Sequence, residues 1–316
     1  MAELADALDL GSSAARRGSS TLPVRTITNL KHNTRNYLLL ALAAFLFSTG
    51  GAAIKACTLT SWQVASLRSG IAALAMLAMA PAARRNWTLS LGTLPLAAAY
   101  AATLILFVAA NKLTTSANAI FLQSTGPIYM LLLGPFVLKE RIRRVDLVVI
   151  ASVALGAVLL FSSTGTVAAT ATNPQLGNIL AAISGLTWAL TITGLRLIGK
   201  RNPTADHGVS VVVTGNLVAF AAALPMALPI AVVHPTDLAV LLYLGIFQIG
   251  VAYLALSRGL RHVPGLEAAT ILLIEPVFNP IWSWAVHNER PGALALLGGG
   301  VIVAANLGST WYTSRR

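Results

Sequence analysis

Ten apolar stretches, each long enough to cross a lipid bilayer, run almost end to end along this chain. From residue 36 they fall at about 36–54, 61–81, 91–111, 115–138, 145–162, 176–196, 208–232, 237–257, 264–286 and 292–312, separated by short Pro-, Gly- and charge-containing connections. A helix of about 20 such residues spans the hydrocarbon layer. Backbone amides and carbonyls inside lipid have to be satisfied within the chain, so runs of this length form helices. The expected fold class is an all-α integral membrane protein with ten transmembrane helices. Composition agrees: only 10% of the 316 residues are charged and 56% are hydrophobic, where an ordinary soluble protein is about 25% charged. A soluble enzyme is excluded.

The remaining segments are short. Residues 1–35 mix Glu3, Asp6, Asp9 and five cations with Gly, Ser and Ala, which reads as a disordered cytoplasmic tail. A short amphipathic helix at MAELADALDL is the alternative. Residues 163–175 form a linker loop, and 313–316 a cytoplasmic C-terminus. The lone Cys57 leaves no disulfide framework, and all five histidines fall in the tail or near the ends of apolar runs, so a metal-dependent intramembrane enzyme is disfavoured. The chain lacks the Gly-rich, Lys-Ser/Thr phosphate loop that ATP-driven transport would need. No cofactor is expected.

The net charge of +12 raises the question of nucleic acid, and the placement of the cations answers it. With the tail assigned to the cytoplasm, 18 of the 22 Lys and Arg residues fall on the cytoplasmic side, Lys55, Lys112 and Arg290 fall outside, and Arg68 lies within a span. This bias predicts both termini inside the cell, and the compact loops point to the cytoplasmic membrane. The charge is topological, and no nucleic-acid partner is expected.

The chain repeats itself. NAIFLQSTGPIYMLLLGPFVLKER, ending at Arg141, matches EAATILLIEPVFNPIWSWAVHNER, ending at Arg290, at a shift of 149 residues. Pro127 then meets Pro276, Glu140 meets Glu289, and Lys112 meets Arg261. At a shift of 141, Phe47 meets Trp188 and Lys55 meets Arg196. Two repeats of five spans result, 36–162 and 176–312. Five is odd, so the second repeat has to enter the membrane from the opposite side. Inverted repeats of this kind suit alternating access to a site near the midplane.

These halves resemble the EamA-type members of the drug/metabolite transporter superfamily over residues 36–312. The family pattern is a proline-bearing helix ending in a Gly-Glu or similar acidic corner, then a glycine-rich helix, once per half. Here it reads LLIEPVFNPIWSWAVHNERPGALALLGGGVIVAAN in the second half and STGPIYMLLLGPFVLKERIRRVDLVVIASVALGAVLLF in the first. The chain departs in two places: Phe47 replaces a tryptophan common in the first helix of each half, and no glycine precedes either corner glutamate. The resemblance implies a secondary carrier, usually an exporter of amino acids, related metabolites or other small amphipathic compounds. It transfers no particular substrate.

Glu275 is the sharpest candidate for a substrate or coupling-ion site. It lies about 18 Å along the ninth span, counted from Val263. An acid at that depth has to face the bundle interior, find a cation or donors, or stay protonated, and each option serves a carrier. Pro276 and Pro280 remove two backbone bonds beside it, and Pro127 does the same in the fourth span. Broken helices are where carriers place their sites. Asn279 and Trp282 follow Glu275 at i+4 and i+7 and share its face. Asn279 is expected in a cavity; Trp282 is there or at the membrane interface. Arg68, about 10 Å into the second span, either binds a substrate carboxylate, pairs with Glu275, or snorkels outward. Trp188 (on a face with Ser184 and Thr191), Gln123 (with Tyr129), Gln248 and Tyr253 are weaker candidates, since single polar residues in membrane helices often bond only to a neighbouring helix. Gly156 and Gly298–Gly300 suit close packing of the fifth and tenth spans.

The corner charges Glu140, Arg141, Glu289 and Arg290 suggest local ion pairs or helix-end contacts, with a gating role as the alternative. The expected partners are a small-molecule substrate, the lipid bilayer and a proton; a homodimer through the glycine-rich spans is permitted but not indicated. The leading reading is a metabolite exporter working by alternating access, with proton coupling at Glu275. A sugar-phosphate or nucleotide-sugar exchanger is second, weakened because phosphate asks for several cations in the cavity. A non-transporting structural or partner-binding membrane protein is the alternative from another class.

Overall fold

A computed structural model describes residues 24–79, 92–139, 142–163, 170–201, 207–230, 232–260 and 262–314. Among the described residues there is no strand. Ten helices are long and apolar enough to cross a membrane: Thr34–Ala56, Ser61–Met79, Leu94–Leu113, Ser116–Val137, Arg144–Ser162, Pro174–Ile198, Gly208–Ala227, Pro235–Leu260, Glu267–His287 and Ala293–Tyr312. They coincide with the apolar runs of the sequence to within a few residues and are called here the first to tenth spans. The protein is an all-α, multi-pass membrane protein. An even number of crossings puts both termini at one face, the terminal face; the other is the distal face.

The helix that carries the first span starts at Val24, so residues 24–35, read from sequence as tail, continue that helix. Their sequence holds neither Pro nor Gly to stop it. The proposed short helix near residue 1 and the corner residues Glu140 and Arg141 lie outside the described residues.

The two halves interleave. The third span packs on the sixth and the eighth on the first; the fourth packs on the sixth and the ninth on the first; the second packs on the seventh, and the fifth on the tenth. Exchanging each span for its counterpart five further along leaves this pattern unchanged. Glycines permit the fifth–tenth contact: a Cβ on Gly156 would sit 2.7 Å from the Gly298 carbonyl oxygen, and one on Gly298 2.6 Å from that of Gly156. Large apolar side chains such as Phe136, Leu147, Val148 and Val158 point outward, as a lipid-facing surface requires.

Four spans are irregular. The first is interrupted at Thr49, between Val24–Ser48 and Gly50–Ala56. The fourth divides into Ser116–Gln123 and Gly126–Val137, and the ninth into Gly265–Leu272 and Ile274–His287. The eighth carries a π-helical stretch over Tyr243–Val251 between two α-helical segments. π-Helical turns of this kind are concentrated at functional sites.

Candidate functional site

The breaks of the fourth and ninth spans follow from proline chemistry. Pro127 has no amide to give the Gln123 carbonyl, and Pro276 none for that of Leu272. The chain tightens just before each: the Thr125 amide donates to the Leu122 carbonyl at 3.2 Å, and the Leu273 amide to that of Thr270 at 3.2 Å. Asn306 of the tenth span reaches across to the first break and donates to the Ser124 carbonyl at 3.0 Å. Between the two breaks lies a cavity of about 150 Å³.

One side of the cavity carries charge. Arg68 lines it at 1% exposure, so the guanidinium stays inside and does not snorkel to the surface. Arg68 shares a helical face with Val64 and Ala72, both fully buried, and that face is turned inward. Its Nη2 donates to the Leu104 carbonyl at 3.3 Å, and its Nε has no partner. Glu275, at the start of the second segment of the ninth span, lines the same cavity. The two are not bridged; the ion pair found among the described residues lies elsewhere.

The rest of the wall is mostly apolar, with five aromatic rings among aliphatic side chains. Phe47 and Tyr253 meet edge to face with centroids 5.0 Å apart, as do Tyr253 and Tyr100 at 5.7 Å, and Tyr100 lies tilted against Trp188 at 6.3 Å. The first and eighth spans supply the first pair and the sixth and third the last, so each half mirrors the other across the Tyr100–Tyr253 contact. Gln123 and Gln248 complete the polar lining, together with Thr103.

The structure therefore brings Glu275, Arg68, Trp188, Gln123, Gln248, Tyr253, Pro127 and Pro276 together. It leaves out Asn279, Trp282 and Pro280. Trp282 gives its indole N–H to Ser48 Oγ at 3.0 Å and packs against Phe45 and Phe278. Asn279 is fully buried against the first span: a Cβ on Gly51 would lie 2.6 Å from its Oδ1. The cavity ends at Pro276 because the two helices close on each other one turn beyond it. Ser184 and Thr191 hydrogen-bond within their own helix. Sequence reasoning passed over Tyr100, Thr103 and Asn306, which sit singly in apolar runs. Tyr100 had one signal: it is an aromatic in the third span, the counterpart of the eighth span's Tyr253.

At the distal face, Glu289 does not pair with its neighbour Arg290, which is exposed. It pairs with Lys55 at 2.7 Å, each side chain 3% exposed. Glu289 also accepts from the Ser116 amide at 3.0 Å, at the first turn of the fourth span, and from the Thr170 hydroxyl. Lys55 donates further to the Thr114 and Thr170 carbonyls, at 2.8 and 3.3 Å. The expected local pair is thus replaced by a long-range one, while the helix-end contact is present. Carboxylate at a helix N-terminus is favoured by the free amides and the dipole. Nearby, Asp237 accepts from the Thr58 amide and hydroxyl, both at 2.7 Å, and Lys112 donates to the Cys57 carbonyl. Burial pushes the Cys57 thiol up to about 11, so it stays protonated and unreactive near neutrality.

A cavity at two helix breaks, lined by an arginine and a glutamate that do not pair with each other, inside a ten-span bundle, is the anatomy of a membrane transporter. The model of the EamA-like transporter family matches residues 34–162 and again 175–311, and the chain belongs to that family; it is a transporter and not an enzyme. Among curated relatives, an uncharacterized transporter of Archaeoglobus fulgidus is 26% identical over 197 residues, 62% of this chain and 67% of that one. The pseudopaline exporter CntI of Pseudomonas aeruginosa is 26% identical over 277 residues, covering 85% of this chain and 93% of the relative. A crystal structure at 18% identity superposes with a TM-score of 0.57 over 89% of this chain and 98% of its own, a likeness of fold alone.

Proposed function

We propose that the protein exports amino acids or other small metabolites across the cytoplasmic membrane by alternating access, with both termini in the cytoplasm and Glu275 exchanging a proton for cargo. The observation that carries this reading is the pair of oppositely ionisable groups, Arg68 and Glu275, unbridged in one cavity at two helix breaks. A charge held in the bundle without a countercharge is costly. A cargo with a carboxylate and an ammonium group answers both, and a proton answers Glu275 between cargoes. Five spans in each half, and a packing pattern unchanged by exchange of halves, support inverted repeats that rock about this site. The positive-inside bias supports the orientation, and the name of the Pseudomonas relative supports export. A phosphate cargo is disfavoured, since among the described residues Arg68 is the one cation lining the cavity.

The test compares metabolites released by cells carrying the protein, its Glu275→Gln variant at equal membrane abundance, and an empty control. A compound released only with the unmodified protein establishes export and names the cargo. Equal release by both proteins overturns the proton role of Glu275 while leaving the carrier intact. No release by either, together with no uptake of amino acids in vesicles, overturns the exporter reading.

A further inference from the structure

Between the cavity and the distal face the bundle buries a column of polar groups that have no partners. The oxygen of the Gln248 amide, both side-chain polar atoms of Asn279, and the hydroxyls of Ser116 and Ser283 are all buried and all unpaired. They form a line. Glu275, Asn279 and Ser283 follow one another at four-residue spacing on the ninth span, rising about 6 Å per step from the cavity towards the Glu289 corner. Opposite them stands the glycine pair Gly50–Gly51 of the first span. A Cβ on Gly50 would meet the Gln248 Nε2 at 2.8 Å, and one on Gly51 would meet Asn279 Oδ1 at 2.6 Å and the Ser116 Cβ at 3.0 Å. The seam is closed by backbone laid directly on amides, and the Lys55–Glu289 pair lies across its end.

A buried polar atom without a partner is unfavourable, and five of the thirteen such side-chain atoms among the described residues gather in this one seam. The penalty disappears in a state where the seam is open and the same atoms meet water or a polar cargo. We propose that this seam, lined by Gln248, Asn279, Ser283 and Ser116, is the route by which cargo passes between the cavity and the distal face, its polar atoms forming a second hydrogen-bonding station for the cargo's polar groups. The Lys55–Glu289 pair is its latch. It ties the first and ninth spans to the third and fourth, because Glu289 holds the Ser116 amide and Lys55 the Thr114 carbonyl. Those two groups of spans are the ones that the pattern of helix packing sets against each other, so releasing the latch lets them part at the distal end. The π-helical stretch that carries Gln248 supplies a deformable hinge beside the seam.

This inference rests on the carrier reading above, but its test reads access and needs no knowledge of the cargo. In a Cys57→Ala background, which removes the single native cysteine, Ser283→Cys is exposed to a membrane-impermeant methanethiosulfonate from the distal side of the membrane. Labelling is expected to be slow with the latch intact and about tenfold faster or more when Glu289→Gln or Lys55→Gln is added. Val153→Cys, buried where the fifth and tenth spans meet, is the control for general unfolding and should stay unlabelled in every background. Unchanged labelling of Ser283→Cys after the latch is broken overturns the proposal, as does labelling only from the terminal side or equal labelling at Val153→Cys. If a cargo is found and its export survives full labelling of Ser283→Cys, the seam fails while the carrier stands.

Discussion

The two acidic corners of the protein come from the same sequence element, and the residues that lead into them share one backbone conformation; the distal glutamate is fastened in a buried ion pair, while the terminal one, Glu140, lies outside the described residues. Lys139 and Asn288, at equivalent places in the repeat, both adopt left-handed backbone, with φ of 59° and 55°. Each immediately precedes its corner glutamate. That conformation explains why the family pattern carries glycine there: a residue without Cβ enters it at little cost. At the distal corner the turn delivers Glu289 into a buried pair with Lys55. At the terminal corner Lys139 is exposed. Local sequence sets the turn, and the arrangement of the whole bundle decides what the turn engages.

The largest effect is expected at the latch. Glu289→Ala leaves Lys55 buried without a countercharge and frees the Ser116 amide, a loss of about 3–5 kcal/mol for a broken buried pair. Thermal unfolding in detergent should register it, with Arg290→Ala, at the exposed neighbour, costing clearly less. Equal losses at the two positions would mean that the buried acid is held no more firmly than the exposed cation beside it.

Next in size is the seam that the latch closes. Gly51→Ala places a methyl 2.6 Å from Asn279 Oδ1, and overpacking of that kind costs about 1–3 kcal/mol. The strain is relieved if the seam opens, so the variant should label faster at Ser283→Cys as well as melt earlier. Gly300→Ala, with nothing within 4 Å of the added methyl, is the counterpart expected to do neither. A Gly51→Ala protein as stable as the unmodified one would mean that the first span yields easily.

The periodic features of the chain were legible before any coordinates. Runs of apolar residues, prolines and repeated corners fix the spans and their breaks, because length, missing amides and i+4 spacing are local properties. The pairings were not local. Glu289 and Arg290 are adjacent in sequence and so leave their helix end in different directions, while Lys55 reaches Glu289 only because the first and ninth spans pack together. Arg68 was undecided between lipid headgroups and the interior for the same reason: hydropathy gives its depth but not which way its helix is turned. Glu275, Asn279 and Trp282 share a face of the ninth span by their spacing, but only the first of them lines the cavity. What covers the other two is the Gly51 backbone and Ser48, small residues that carry no signal of their own.

A smaller effect separates the two corners themselves. Asn tolerates left-handed backbone because its short side chain can bond locally, and a β-branched residue does not. Asn288→Val should therefore cost about 1–2 kcal/mol and loosen the latch indirectly by displacing Glu289, which faster Ser283→Cys labelling would reveal. Unchanged stability and labelling would mean that the turn does not position the acid.

The smallest effect should run in the opposite direction. Lys139 occupies its left-handed turn without the compensation available to Asn, so Lys139→Gly removes backbone strain at a site where the lysine side chain is exposed. The gain is offset by the greater freedom glycine has in the unfolded chain, leaving a net stabilisation of up to about 1 kcal/mol. Asn288→Gly starts from a residue already suited to the turn and should gain less. Measured side by side in detergent melts, the order Lys139→Gly above Asn288→Gly would show that the two corners share one backbone requirement met by residues of unequal fitness. The reverse order would mean that the Lys139 side chain stabilises the terminal corner by more than its backbone strain costs, and that this corner is fastened too.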